Sequence, residues 1–170
     1  MRFAIRWITA LTLLCFPLSL SAQIPAWTAV ASDGSVDEAN YTPAVNFAFT
    51  GASLGFLGAS INPSIVAHYN VTNIPGVPNP AWTTLELGAI DTSAVLNNQV
   101  SATLIRVTRC TGAQLAICTA TSVTTTVGVC TPCTFPPNTF DFNQFLYYVE
   151  VRISRTASTV TEQATTLRIF

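Results

Sequence analysis

The clearest pattern along the chain is a strict alternation of apolar and more polar side chains over Leu146–Ser154. The odd-numbered positions carry Tyr147, Val149, Val151 and Ile153, and the even-numbered positions after Leu146 carry the more polar residues. Alternation with a period of two, in a segment rich in aromatic and β-branched residues, is typical of a strand that is buried on one side only. This segment therefore predicts a β-strand that is buried on one side.

Shorter runs of the same kind recur along the chain, separated by turn-forming residues, and no segment shows sustained helical periodicity. The predicted strands lie at 27–31, 45–49, 65–71, 82–87, 100–109, 115–124, 127–135, 146–154 and 165–170. Eight or nine short strands at this spacing predict an all-β domain, an antiparallel sandwich of two sheets. A jelly-roll order, with the first strand near the last, is one option. We expect the core to contain Leu85, Leu87, Val149, Val151 and Leu167.

Residues 1–22 have the features of a signal peptide. Arg2 and Arg6 give a positive start, and an apolar run follows that ends in small residues. This segment is predicted to be helical and to be removed by cleavage after Ala22 or, alternatively, one residue earlier. The remaining chain, 23–170, is then a single exported domain with no membrane span.

The charge composition limits the kinds of partner. Charged residues make up 9% of the chain, lysine is absent, and threonine contributes 25 residues. The net charge is −1, and it becomes −3 when Arg2 and Arg6 leave with the signal peptide. Such a chain has no basic surface for nucleic acid or anionic lipid. Neutral hydroxyl groups are expected to cover the surface instead, on strands that threonine favours.

Three segments carry a resemblance to a known group of proteins. PAWTTLELG (80–88), VSATLIRVTRCTGAQ (100–114) and FDFNQFLYYVEVRISRT (140–156) are similar to segments of a family of short secreted bacterial β-sandwich proteins of unassigned function. The resemblance covers most of the chain after the signal peptide. It implies a bacterial protein that is secreted, periplasmic or on the cell surface. It gives no information about an active site or a ligand.

Four cysteines remain in the exported chain: Cys110, Cys118, Cys130 and Cys133. An even number in an exported protein predicts two disulfides, for which three pairings are possible. We expect Cys110–Cys118 and Cys130–Cys133, whereas a hairpin centred on Thr124 would place Cys118 opposite Cys130. The spacing of the first pair does not match a four-cysteine zinc site. No helix is predicted after the CxxC segment to activate it for redox chemistry.

Catalytic chemistry has few candidate groups. His68 is the only histidine, and the chain has no nucleophile motif to accompany it, so a surface or hydrogen-bonded role is expected. Glu86 and Glu150 lie in strands and form the candidate pair for glycoside hydrolysis. The competing interpretation for Glu150 is an ion pair, because Arg152 lies two residues later on the same strand face.

Metal and cofactor sites are not indicated. The loop carboxylates could bind a structural Ca²⁺ ion, but they lack the regular spacing of a calcium-binding loop. They are Asp33, Asp37, Glu38 and Asp91. We therefore predict no metal ion and no cofactor.

The remaining candidates concern binding. Trp82 and Tyr148 are out of phase with the more apolar side of their strands, which makes them candidates for an exposed aromatic surface that binds sugar rings. Gly51–Ser60 and Asn73–Pro80 are predicted loops at a contact surface. These features favour a non-enzymatic exported module that binds a glycan or another cell-surface component, or that has a structural role. The alternative is a glycan hydrolase.

Overall fold

The computed structural model describes residues 24–37, 47–56, 64–94, 99–156 and 159–170. Eleven strands and one short 3-10 helix, Ala31–Asp33, lie in these ranges. The strands are β1 (Trp27–Val30), β2 (Ser35–Val36), β3 (Phe47–Thr50), β4 (Ser53–Phe56), β5 (Ser64–Val71), β6 (Thr84–Asp91), β7 (Gln99–Thr108), β8 (Gln114–Thr121), β9 (Thr125–Thr134), β10 (Phe145–Ser154) and β11 (Glu162–Ile169). The predicted signal peptide lies outside the described residues.

The strands form two antiparallel sheets that pack face to face, so the predicted antiparallel β-sandwich is confirmed. Sheet A has the order β3-β4-β11-β6-β9, and β1 also pairs with β11. Sheet B has the order β2-β5-β10-β7-β8. The first and last strands pair directly, with Trp27 opposite Ile169, as in the jelly-roll option.

The strand that the sequence predicted most clearly is the middle strand of sheet B. β10 pairs with β5 on one side and with β7 on the other. Its odd-numbered residues Val149, Val151 and Ile153 are fully buried, and its even-numbered residues face solvent. All five predicted core residues are buried, because β6 and β11 of sheet A turn their apolar side toward the same interior.

The chain changes sheet between β8 and β9. The connecting residues are held to both sheets, since the Ser122 amide donates to the Val100 carbonyl at 2.7 Å and the Thr124 hydroxyl donates to the Ser93 carbonyl at 2.6 Å. β8 then pairs with β7 in sheet B, and β9 pairs with β6 in sheet A. The alternative of a hairpin centred on Thr124 is therefore wrong.

One of the two predicted loops, Gly51–Ser60, contains a strand. β4 lies within it and pairs in register with β3, which overlaps the strand predicted at 45–49, and Gly51 takes a φ of +59° in the turn between them. Residues 57–60 lie outside the described residues. The other predicted loop, Asn73–Pro80, contains a tight turn in which the Val77 amide donates to the Ile74 carbonyl at 2.9 Å, so that prediction is confirmed.

One end of the core contains buried acidic groups. Asp91 and Glu162 are opposite each other in sheet A, and Arg155 of sheet B is buried at the same end. The Asp91 carboxylate accepts hydrogen bonds from the Ser93 amide and the Ser122 hydroxyl. Neither carboxyl oxygen of Glu162 has a hydrogen-bond donor in the described part of the chain. Burial and the Asp91 charge raise the pKa of Glu162 to about 7, against the opposing effect of Arg155.

Candidate functional site

A groove of about 250 Å³ lies where the two sheets separate along one edge of the sandwich. It exists because β2 is only two residues long and pairs with β5 only at Ala67 and His68. Beyond His68, β5 faces β1 of the other sheet across open space. We call this site the edge groove, and its lining residues are Trp27, Thr28, Ala29, Asp33, Ser35, His68, Tyr69 and Asn70.

One wall of the edge groove is positioned by a close contact between Gly34 and Tyr69. The Tyr69 hydroxyl donates a 2.6 Å hydrogen bond to the Ala31 carbonyl and so holds the 3-10 helix to sheet B. A Cβ atom at Gly34 would lie 2.4 Å from the Tyr69 ring, so only glycine allows the chain to pass this close. The contact places Asp33 and Ser35 on either side of Gly34, at the rim of the groove.

The edge of β5 adds backbone groups to the groove that β2 does not pair with. The Asp37 amide donates to the Val66 carbonyl at 2.8 Å, so the backbone groups of Val66 point toward β2. Because backbone groups alternate in direction along a strand, those of His68 and Asn70 point the same way. β2 pairs with His68 but does not reach Asn70, whose side chain is exposed. Asn70 therefore offers backbone and side-chain hydrogen-bonding groups to a ligand.

The edge groove combines one large apolar ring with several polar side chains. Trp27 is half-buried and packs against the core at the groove, while Asp33, Ser35, His68 and Asn70 supply donors and acceptors. No arginine in the described part of the chain lines this groove. An apolar surface with a few oriented polar groups is typical of sites for small neutral polar molecules.

The groove adjoins a polar row on the outer face of sheet B. Strand register places Ser35, His68, Glu150, Thr103 and Thr119 side by side across all five strands. The His68 Nε2 atom lies 3.5 Å from a Glu150 carboxylate oxygen, which orients the imidazole at the groove.

Glu150 also contacts Arg152, as expected from the sequence. The Nη2 atom of Arg152 lies 3.8 Å from the other carboxylate oxygen of Glu150. His68 thus has the predicted surface role with a polar partner, and Glu150 is part of an ion-pair network.

Tyr148 lies beside this row. Its ring packs edge-on against His68 at 5.1 Å, and its hydroxyl lies 3.2 Å from the Gln114 side-chain oxygen. Gln114 is on β8, two strands from β10, so the Tyr148 side chain extends across β7 on the outer face of sheet B. Burial and the Glu150 charge raise the pKa of Tyr148, so the hydroxyl is neutral near pH 7. Tyr148 is thus a half-buried aromatic surface next to the groove.

Trp82, the other aromatic candidate, is a core residue. It is 1% exposed, its indole N–H donates to the Pro25 carbonyl at 3.0 Å, and its ring packs against Phe140. The alternation along the strand predicted that Trp82 points to the exposed side. It does not apply here, because the amides of both Thr83 and Thr84 donate to the Phe170 carbonyl. This is the pattern of a β-bulge, which inserts one residue and reverses the side to which the preceding residue points. The prediction that Trp82 binds a ligand is wrong.

Glu86 and Glu150 do not form a common site. Glu86 lies on β6 of sheet A and Glu150 on β10 of sheet B, and both face outward from the sandwich. Packed sheets are ~10 Å apart, which already exceeds the ~5–9.5 Å between the two carboxyl groups of glycoside hydrolases. The proposed hydrolase pair is therefore excluded.

Within the described ranges there is one disulfide, Cys118–Cys133, so the expected pairing is wrong. Cys118 is paired with Leu104 in sheet B and Cys133 with Leu85 in sheet A, so both point into the sandwich and the disulfide joins the two sheets. Cys130 and Cys133 are three residues apart on one strand, so their side chains point to opposite faces and cannot bond to each other.

The other two cysteines are exposed and free. Cys110 lies in the turn between β7 and β8 with a φ of +66°. Cys130 lies on the outer face of sheet A, where its thiol donates a hydrogen bond to Glu86. Burial and the Glu86 carboxylate raise the pKa of this thiol, which opposes formation of the reactive thiolate.

The candidate calcium ligands are not brought together. Asp91 is buried at one end of the core, Asp33 is at the edge groove, and Glu38 lies outside the described residues. In the described ranges no group of three or more His, Cys, Asp or Glu side chains is arranged to hold a metal ion. Among the same residues, no helix is long and apolar enough to cross a membrane.

The chain matches no protein-family model and no curated protein. Among solved structures it is similar to a xylan-binding module, CBM15, with 11% identity, a TM-score of 0.48, and coverage of 85% of this chain and 95% of that one. It is also similar to CsCBM6-3 from Clostridium stercorarium in complex with cellobiose, with 11% identity, a TM-score of 0.45, and coverage of 83% and 90%. Likenesses this remote carry no argument about function.

The sequence pattern singled out Trp82 and Tyr148 rather than Trp27, and it gave no sign that Trp27 lies near His68 and Asn70. These groups are about forty residues apart in the chain and meet only through the packing of two sheets. The shortness of β2, which opens the groove, was not predicted either.

Proposed function

We propose that this chain is an exported, non-catalytic binding module and that its edge groove binds a neutral glycan. The observation that carries the proposal is that Trp27, which also packs against the core, lines one groove together with Asp33, Ser35, His68 and Asn70. Sugar rings have an apolar face, which packs on an aromatic ring, and a rim of hydroxyl groups, which need donors and acceptors.

The electrostatics of the site agree with a neutral ligand. Among the described residues no arginine lines the edge groove, and Asp33 does line it, so a sulfated or phosphorylated glycan would be repelled rather than held. The polar side chains are held by strands and by the Tyr69 hydrogen bond rather than by long loops. Binding then costs little ordering of the protein.

Export is part of the proposal. The disulfide between the two sheets supports it, because disulfides persist in oxidising compartments. Intact-mass measurement of the protein recovered outside the cytoplasm is expected to show loss of residues 1–22. A mass that still includes these residues would contradict the proposed cleavage.

The binding proposal is tested by affinity electrophoresis of the purified protein in gels that contain xylan, hydroxyethyl cellulose or mixed-linkage glucan. We expect retardation by at least one of these polymers, and at least about tenfold weaker binding for Trp27→Ala. Phe49→Ala is the matched control, because Phe49 is also a partly exposed aromatic residue but lies on β3 outside the groove. Equal retardation of Trp27→Ala and the parent protein would contradict the proposal.

Release of reducing sugar is measured in the same samples, because Asp33 and Glu86 line a common depression of about 480 Å³ on the sheet A side. We expect none. Turnover that is lost in Asp33→Asn would contradict a non-catalytic role and identify these carboxylates as the reacting groups.

A further inference from the structure

The edge groove does not end at Asn70. A second groove, of about 440 Å³, begins at the same residue and continues past the end of β5. We call it the end groove, and its lining residues are Asn70, Val71, Thr72, Asn73, Phe142, Leu146 and Tyr147. Asn70 lines both grooves, so the two grooves adjoin at this residue.

We propose that the two grooves form one binding channel that accepts an extended, unbranched stretch of a neutral polysaccharide rather than a terminal sugar. This inference rests on the proposed function, since it assigns the ligand class of the same site. Its specific content is that Asn70 contacts the middle of the bound chain and that the end groove binds further sugar units.

The chemistry of the end groove repeats that of the edge groove. Asn70, Thr72 and Asn73 supply amide and hydroxyl groups along one side, and Leu146 and Phe142 supply apolar surface on the other. Leu146 is 56% exposed, which is high for a leucine on the central strand of a sheet. None of the described residues that line the end groove is charged. A neutral chain with alternating apolar and hydroxyl-bearing surfaces matches both grooves.

The length of the channel exceeds what a single sugar ring fills. The path along β5 from His68 to Asn73 covers five residue steps, or ~16 Å for an extended backbone. Asn70 is near the midpoint of this path, and its backbone groups point out of the open strand edge. A ligand held only at Trp27 would leave the Leu146 side of the channel empty.

The test is a series of xylo-oligosaccharides and cello-oligosaccharides, from the monosaccharide to the hexasaccharide, titrated by isothermal calorimetry. We expect the affinity for one series to rise with length until the channel is filled. Leu146→Ser is expected to weaken binding of the longest ligands by about tenfold and to leave the shortest ones unchanged. Asn70→Ala is expected to weaken ligands of intermediate and greater length, and Trp27→Ala to weaken all of them.

The matched control is Val127→Ser, because Val127 is an exposed branched residue on β9 and lies outside both grooves. Affinity that depends on Trp27 but not on ligand length or on Leu146 would overturn the channel and leave the proposed function intact. Absence of binding to both series would remove the proposed function and the channel with it.

Discussion

The buried carboxyl group of Glu162 makes a prediction about stability that is independent of function. Glu162 is 1% exposed, and in the described part of the chain neither of its oxygens has a hydrogen-bond donor. Burial and the nearby Asp91 carboxylate raise its pKa from 4.5 to about 7, and Arg155 offsets only part of this rise. The folded protein therefore holds this proton more tightly than the unfolded chain does.

The sign of the pH dependence follows from the raised pKa. The contribution of protonated Glu162 to the free energy of unfolding is fully present below pH 4.5 and is lost as the pH rises toward 7. One pKa unit corresponds to ~1.4 kcal/mol, so the rise from 4.5 to about 7 gives a loss of roughly 3–3.5 kcal/mol over this window. Glu162→Gln removes the titrating group, so the variant is expected to exceed the parent protein in stability by this amount at pH 8 and not at pH 4.

The measurement is urea unfolding, followed by circular dichroism, at several pH values between 4 and 8 for both proteins. Glu86→Gln is the matched control, because it removes the same type of group from the outer face of sheet A. We expect the control to keep the parent's pH dependence. A constant difference between Glu162→Gln and the parent across this range would refute the argument from burial.

Three further perturbations test the core, the disulfide and a side-chain anchor. Val151→Asp places an unpaired charge at a fully buried position of β10, so the circular dichroism spectrum is expected to lose its β-sheet signal. Replacing Cys118 and Cys133 by serine is expected to lower the free energy of unfolding by ~3 kcal/mol in urea titrations, since the disulfide closes a loop of 15 residues. Replacing the free cysteines Cys110 and Cys130 is expected to change the free energy of unfolding little. Non-reducing peptide mapping should recover only the Cys118–Cys133 link. Tyr147→Phe removes a hydroxyl that donates to the Thr139 carbonyl at 2.9 Å, so a loss of ~1 kcal/mol is expected in the same titrations.

The disulfide joins two edge strands of the sandwich. β8 and β9 each have a single neighbour in their own sheet within the described residues. The bond between Cys118 and Cys133 links these two edges across the core. It therefore ties together two strands that share no backbone ladder with each other.

The amino-acid sequence alone determined the class of the fold and the identity of much of its core. The alternation in β10 predicted which of its side chains are buried, because a strand with one buried side must repeat apolar residues every second position. The same rule identified Leu85, Leu87 and Leu167 as core residues. These are local properties, set by the geometry of a single strand.

Only the tertiary structure decided which strands share a sheet, and with that the disulfide and the candidate site. Cys118 and Cys133 meet because the chain crosses between sheets after β8, and Trp82 is buried because a bulge reverses its direction. Trp27 and Asn70 meet because β2 is too short to cover the edge of β5. Each of these outcomes depends on contacts between residues far apart in the chain, which the pattern along one strand does not specify.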